Sequence, residues 1–175
     1  NVDENNQSYK SIDGTLYTKD GKTLLVYAIG KKENNLIIPE GVTTIANHAF
    51  YNCQNLVSVT FPESLVDIDK GAFYICCNLT NIKFSNRLKT IAEDAFSGCG
   101  NLITLDLPST LETVGDRAFA ACYNVTTITI GDNLSSIGVF SFDCESLTSI
   151  NVSEKNQYFK SIDGNLYTKD EKTLL

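Results

Sequence analysis

The cysteines are the residues whose type and spacing first suggest chemistry. Five of the six recur at a nearly constant step along the chain, at Cys53, Cys76, Cys99, Cys122 and Cys144. Structural zinc takes four ligands in a tetrahedron, whereas one thiol per step forms a row that cannot surround an ion. Distance alone permits a disulfide between neighbours, but stacked side chains point in parallel. We therefore predict free, buried thiols and no metal site, with Cys77 as the most exposed thiol.

The other reactive residue types do not form a catalytic constellation. His48 is the only histidine, so there is neither an imidazole acid–base pair nor a histidine metal site, and we expect it on an exposed turn. Asp13-Gly14 and Asp163-Gly164 are turn dipeptides and lack the alternating acidic ligands of a calcium loop. No nucleophile–base pair or Gly-rich phosphate loop is present either. We therefore predict no enzyme activity and no cofactor.

The cysteine row belongs to a repeat that occupies most of the sequence. The stretch from Ile91 to Val114 spans one copy. Its aliphatic and aromatic positions recur at one constant step, at Ile45, Ile68, Ile91, Val114 and Ile137, and at Phe50, Phe73, Phe96, Phe119 and Phe142. One copy cannot bury its own apolar edge and gains a core only by stacking on the next. The period therefore predicts a solenoid.

The order of residues within a copy predicts its local structure. Leu102–Leu107 reads Leu-x-x-Leu-x-Leu, and the final alternation is typical of a short strand. Ala95–Leu102 reads Ala-Phe-x-x-Cys-x-x-Leu, a helical spacing that favours a brief α or 3₁₀ turn. We predict coils with a parallel β-sheet on one face and short helical turns on the other.

Polar residues that alternate with the buried ones on these strands form the candidate ligand-binding surface. We call this set the outward strip, and its members are Ser58, Thr60, Asn81, Lys83, Thr104, Asp106, Thr127, Thr129, Ser149 and Asn151. Curved solenoids commonly bind with the sheet face. Threonine is also favoured there for strand propensity alone, so a merely solvated face is the alternative. Tyr9, Tyr17 and Tyr27, which we expect to be exposed, are rival contact residues.

A longer repeat relates the two ends of the chain. Residues 6–25 and 156–175 agree at 16 of 20 positions, and strand formers around Asp-Gly turns predict a β-hairpin in each. Glu171 replaces Gly21, which predicts a looser loop in the second copy. We predict a hairpin module at 1–35, a solenoid of about five coils at 36–152 and a truncated second module at 153–175. We expect the native chain to continue, leaving uncapped ends that fray or self-associate.

Charge and hydropathy exclude two classes of partner. The formal net charge is −7, from 14 Lys and Arg against 21 Asp and Glu, and the bases do not cluster. Nucleic acid and anionic membrane surfaces both require clustered basic residues. No apolar stretch is long enough to span a membrane.

The pattern Leu-x-x-Leu-x-Leu-Pro-x-x-Leu-x-x-Ile-x-x-x-Ala-Phe-x-x-Cys resembles the BspA-like class of leucine-rich repeats, and Leu102–Cys122 carries it almost position by position. The Asp-Gly-x-Leu-Tyr segments at Asp13 and Asp163 are similar to hairpin inserts of that family. The resemblance implies a curved right-handed solenoid. It also implies a secreted or surface-attached protein of a bacterium or protist living on host tissue.

Two functions follow from these observations. The first is a non-enzymatic, extracellular or cell-surface module for recognition of, or adhesion to, a host or matrix protein, as the resemblance implies. The alternative is a structural spacer or stalk within a larger repeat protein, suggested by the longer repeat that relates the two ends. Only the first predicts a ligand for this segment.

Overall fold

A computed structural model describes all 175 residues as a succession of short β-strands. The strands are β1 (Tyr9–Ile12), β2 (Thr15–Thr18), β3 (Thr23–Val26), β4 (Asn35–Ile37), β5 (Thr44–Ile45), β6 (Ser58–Thr60), β7 (Asp67–Ile68), β8 (Asn81–Lys83), β9 (Thr90–Ile91), β10 (Leu105–Asp106), β11 (Thr113–Val114), β12 (Thr127–Ile130), β13 (Ser136–Ile137), β14 (Ser149–Val152), β15 (Phe159–Ile162) and β16 (Asn165–Thr168). The structure contains no helix capable of crossing a lipid bilayer.

Like strands of successive repeat copies pair in parallel, which makes the molecule a β-solenoid. The first strand of each copy builds the sheets β4–β6–β8 and β10–β12–β14. The second strand builds the series β5–β7–β9–β11–β13, which continues an eight-stranded sheet beginning with β1–β2–β3. The predicted leucine-rich repeat solenoid with a parallel sheet is confirmed. The second parallel row was not predicted, because its two-residue strands are too short to show alternation.

No α- or 3₁₀-helix is present on the other side of the coil, so the expected helical turns are not confirmed. In each coil from the first to the fourth, two residues have left-handed backbone angles, such as Asp94 at φ 55° and Gly98 at φ 78° in the third. A left-handed residue every four positions interrupts an α-helix. Alternate N–H groups close single turns, as that of Ser97 does to the Asp94 carbonyl at 3.1 Å, and the N–H groups between them bond across coils. That of Phe73, for example, donates to the Ala95 carbonyl at 2.7 Å.

A column of stacked aromatic rings runs through the core. Ring centroids of Phe73 and Phe96 lie 5.0 Å apart at an interplanar angle of 3°, and those of Phe96 and Phe119 lie 5.4 Å apart at 1°. The column begins at Tyr27, whose ring stacks on Phe50 at 5.0 Å. Tyr27 lies one repeat period before Phe50, so the period itself indicates this position. The expectation that Tyr27 is exposed was wrong, because it is 1% exposed.

The cysteines form a second buried column that serves the backbone. Cys99 Sγ donates to the Phe73 carbonyl at 3.3 Å, and the Cys76 thiol reaches the Phe50 carbonyl at 3.1 Å. A thiol is a small, weak donor, which suits a carbonyl that already accepts one N–H. All six cysteines are free, and only Cys77 is not fully buried. Burial raises the pKa of Cys53 to about 11.

The hairpin modules use the same turns at both ends of the chain. β1 pairs with β2, and β15 with β16, in the same antiparallel register. Glu171 adopts φ 63° where Gly21 has 78°, and both N–H groups donate to the threonine three residues earlier at 2.9 Å. The looser loop expected at Glu171 was therefore wrong. Its carboxylate pairs with Lys160. The division at residues 35 and 152 stays a prediction.

Candidate protein-binding surface

The outward strip forms two rows of side chains across the first-strand sheets. The first row comprises Ser58, Asn81, Thr104, Thr127 and Ser149, and the second row comprises Thr60, Lys83, Asp106, Thr129 and Asn151. Parallel pairing brings neighbours together: Thr60 lies opposite Lys83, and Asp106 opposite Thr129. Because the pairing preserves register, each row keeps one type of position from coil to coil.

The two rows differ in exposure. Every residue of the second row is exposed, whereas Ser58, Thr127 and Ser149 of the first row are half-buried. The strip is also interrupted: β8 and β10 belong to separate sheets, and Thr104 lies just before β10 rather than within it. The structure thus brings the ten residues onto one side of the coil, with the more accessible groups in the second row.

The hydrogen bonds within the protein distinguish the rows further. In the first row, Ser58 Oγ donates to Asn35 Oδ1 at 2.6 Å, and Ser149 Oγ donates to Asn151 Oδ1 at 3.4 Å. The side chains of Thr60, Lys83, Asp106 and Thr129 form no hydrogen bond or ion pair with the protein, whereas in the first row only Thr104 and Thr127 are free in this way. The ion pairs lie elsewhere. The Glu93 carboxylate, for example, lies 2.8 Å from both Lys70 Nζ and Arg117 Nη2. The second row therefore offers donors and acceptors that a ligand could use.

The first coil extends the strip by a pair of residues that the sequence reasoning missed. Asn35 lies opposite Ser58, and Ile37 lies opposite Thr60. Ile37 is 77% exposed, the highest value among the large apolar residues. Both lie one repeat period before members of the strip, so the period could have found them. Ile37 provides the single large apolar contact in an otherwise polar second row.

A cleft adjoins this end of the strip. It has a volume of about 290 Å³, and Ile12, Asp13 and Ile37 contribute to its lining. Within it, Lys31 Nζ lies 3.6 Å from Glu33 Oε1 and 5.2 Å from the centre of the Tyr27 ring. Burial, together with the Glu33 carboxylate, raises the pKa of Tyr27 to about 12.

The rival tyrosines are mostly unavailable to a ligand. Tyr17 is 4% exposed and Tyr27 belongs to the core, so only Tyr9, at 45%, lies on the surface. His48 is exposed on a turn with a left-handed backbone, φ 54°. No three His, Cys, Asp or Glu side chains lie close enough together to hold a metal ion.

Comparison with known proteins identifies the repeat. A family model of the BspA type leucine-rich repeat region matches residues 29–90 and 67–167, with six copies. Among solved structures, the pneumococcal vaccine antigen PcpA matches 99% of this chain with a TM-score of 0.80 and 28% identity. A leucine-rich repeat protein of T. pallidum matches 85% of this chain and 70% of its own, with a TM-score of 0.71 and 27% identity.

A third similar structure is a leucine-rich repeat protein from Eubacterium ventriosum, which matches 91% of this chain and 50% of its own, with a TM-score of 0.68 and 26% identity. No curated protein matches the sequence. This chain spans 42% of the length of the PcpA chain. Because the family model covers more than half of the residues, and the fold agrees with it, this chain belongs to the BspA-type leucine-rich repeat family.

Proposed function

We propose that this chain is a non-enzymatic recognition module that binds a host or matrix protein through the outward strip. The observation that supports this best is the second row, whose side chains are exposed and make no contacts with the protein's own polar groups except at Asn151. A rigid solenoid holds these groups at fixed spacing. The protein therefore loses little conformational entropy when it binds a ligand that matches the spacing.

Ile37 supports the same side of the molecule as the binding face. Interfaces depend on a few apolar or aromatic anchors surrounded by weaker polar contacts. Ile37, beside the cleft, is the apolar anchor at one end of the strip. The threonines of the second row provide the surrounding polar contacts. Lys83 and Asp106 are the only charged members of the strip, so its contribution to binding depends little on salt.

The proposed location is extracellular or at the cell surface. PcpA is a pneumococcal vaccine antigen, and almost the whole of this chain is similar to part of it. This chain spans less than half of PcpA, so its location is a proposal as well.

A binding assay with matched variants tests the proposal. Immobilised fibronectin, laminin and collagen are probed with the whole chain by surface plasmon resonance. Thr60→Arg and Thr129→Arg place bulk in the second row, and Asn47→Arg, exposed on a turn of another face, is the control. We expect binding to one of these proteins that both strip variants weaken at least ~10-fold and the control leaves unchanged.

A structural spacer remains the competing function, and the uninterrupted aromatic column from Tyr27 to Phe142 favours it. Such a column stiffens the coil stack without requiring a ligand. The same assay separates the two functions. Binding that the control and strip variants weaken equally, or no binding to any of the three proteins, would favour the spacer.

A further inference from the structure

The two hairpin modules place the same sequence in two different surroundings. Residues 6–25 lie ahead of the first coil, and residues 156–175 lie behind the last. Each copy therefore has a coil on one side only. The contacts that one copy makes and the other lacks show what the module's two sides are built to bind.

The side facing a preceding coil is occupied only in the second copy. Asn156 is 0% exposed, and its Nδ2 donates to the carbonyls of Gly131 at 2.8 Å and Leu134 at 3.0 Å. Its Oδ1 accepts the N–H groups of Tyr158 and Phe159, both at 2.8 Å. This asparagine therefore ties the module to the last coil by two hydrogen bonds and holds its own turn by two more.

The equivalent Asn6 makes only the local half of this arrangement. Its Oδ1 accepts the N–H groups of Ser8 at 2.9 Å and Tyr9 at 2.8 Å, while its Nδ2 has no partner. The aromatic residue three positions later differs between the copies in the same way, because Phe159 is 7% exposed and the equivalent Tyr9 is 45% exposed. The first copy therefore presents an uncovered surface that carries, in Asn6, the same amide group as Asn156.

The side facing a following coil is occupied only in the first copy. β3 pairs in parallel with β5, which sets Leu24 opposite Ile45 and leaves Leu24 1% exposed. In the second copy, Leu174 is 60% exposed and only an isolated bridge joins it to Tyr167. A groove of about 630 Å³ lies there, lined by Phe142, the last ring of the aromatic column, together with Leu174 and Leu175.

We infer that the hairpin module is a joint that accepts a BspA-type coil on both sides. The partner of the Asn6 and Tyr9 surface is the end of a coil that presents two carbonyls as Gly131 and Leu134 do. The partner of the Leu174 surface is the beginning of a coil, which pairs a two-residue strand with residues 173–174 as β5 pairs with β3. For each uncovered surface, the other copy of the module shows the same surface covered by a coil. Both proposed interfaces therefore repeat contacts already present in the molecule.

A tandem chain tests the Leu174 surface. Residues 26–150 are joined after Leu175, which restores the order found after Leu25. Leu174→Ala is then compared in the tandem and in the original chain by calorimetry. We expect a single unfolding transition for the tandem, and a midpoint lowered by about 4 °C or more by Leu174→Ala. The same substitution leaves the original chain unchanged. Leu24→Ala is the control that lowers the midpoint of both.

Two results would overturn the inference. One is a tandem that unfolds in two independent transitions, and the other is a Leu174→Ala tandem with an unchanged midpoint while Leu24→Ala lowers it. The Asn6 surface is tested separately by joining residues 105–150 ahead of Asn1. Asn6→Ala should lower the midpoint of that extended chain clearly more than that of the original, where only the two local hydrogen bonds are lost. Equal effects in both chains would show that Asn6 serves only its own turn.

Discussion

Truncation of Phe96 at the centre of the aromatic column is the sharpest test of how the fold is held together. Phe96 is 0% exposed. Its ring stacks on Phe73 and Phe119 and meets the edge of Phe84 at 5.8 Å and 80°. Removing a buried phenylalanine costs about 3–5 kcal/mol, and the loss of three ring contacts, at about 0.5–1.5 kcal/mol per pair, places Phe96→Ala in the upper part of that range.

Urea unfolding followed by far-UV circular dichroism measures this free energy. Phe140→Ala is the matched control, because Phe140 is 67% exposed and its loss should change stability by less than about 0.5 kcal/mol. Phe142→Ala, at the end of the column with one stacked neighbour, should fall between the two. An order in which Phe96→Ala costs no more than Phe140→Ala would refute the reasoning, because the column would then contribute nothing to stability.

Three further predictions concern the thiols, alkaline pH and the asparagine anchor. A thiol-specific reagent should modify Cys77 alone in the native protein and all six cysteines in denaturant. Stability should fall as the pH rises from about 9 to about 12, because burial raises the pKa of Cys53 from 9.0 to about 11 and that of Tyr27 from 10.0 to about 12, so the unfolded state loses these protons first. Asn156→Ala should lower the free energy of unfolding by about 1–3 kcal/mol for each of the two carbonyls that it leaves without a donor. Asn6→Ala should lower it clearly less.

Each of these has a measurement that could contradict it. Rapid native modification of several thiols, counted by mass spectrometry, would mean that the cysteine column is open to solvent. Tyr27→Phe and Cys53→Ala should both reduce the alkaline slope of unfolding free energy, so an unchanged slope in both would assign it to other groups. For the asparagines, equal losses in urea unfolding would mean that the Gly131 and Leu134 carbonyls find other donors.

The constant period of the repeat was enough to predict the solenoid and most of its core, although Tyr27, Asn35 and Ile37 were missed. Ile45, Phe50 and their repeats had to be buried because a single coil has no other way to remove them from water. The same argument placed Thr60 and Lys83 on the opposite face of their strands. Hydrophobic periodicity is local information, and the sequence contains it in full.

Tertiary structure decided what the coils do where they meet. The segment around Phe96 has helical spacing, yet every second N–H group bonds to the next coil, because the carbonyls of that coil compete with those of the preceding turn. Tyr27 belongs to the core for the same reason: the adjacent coil covers a ring that looks exposed within its own hairpin. Exposure at the module surfaces of Asn6 and Leu174 depends on which coil stands beside them. Contacts between coils join residues distant in sequence, so only the folded stack determines them.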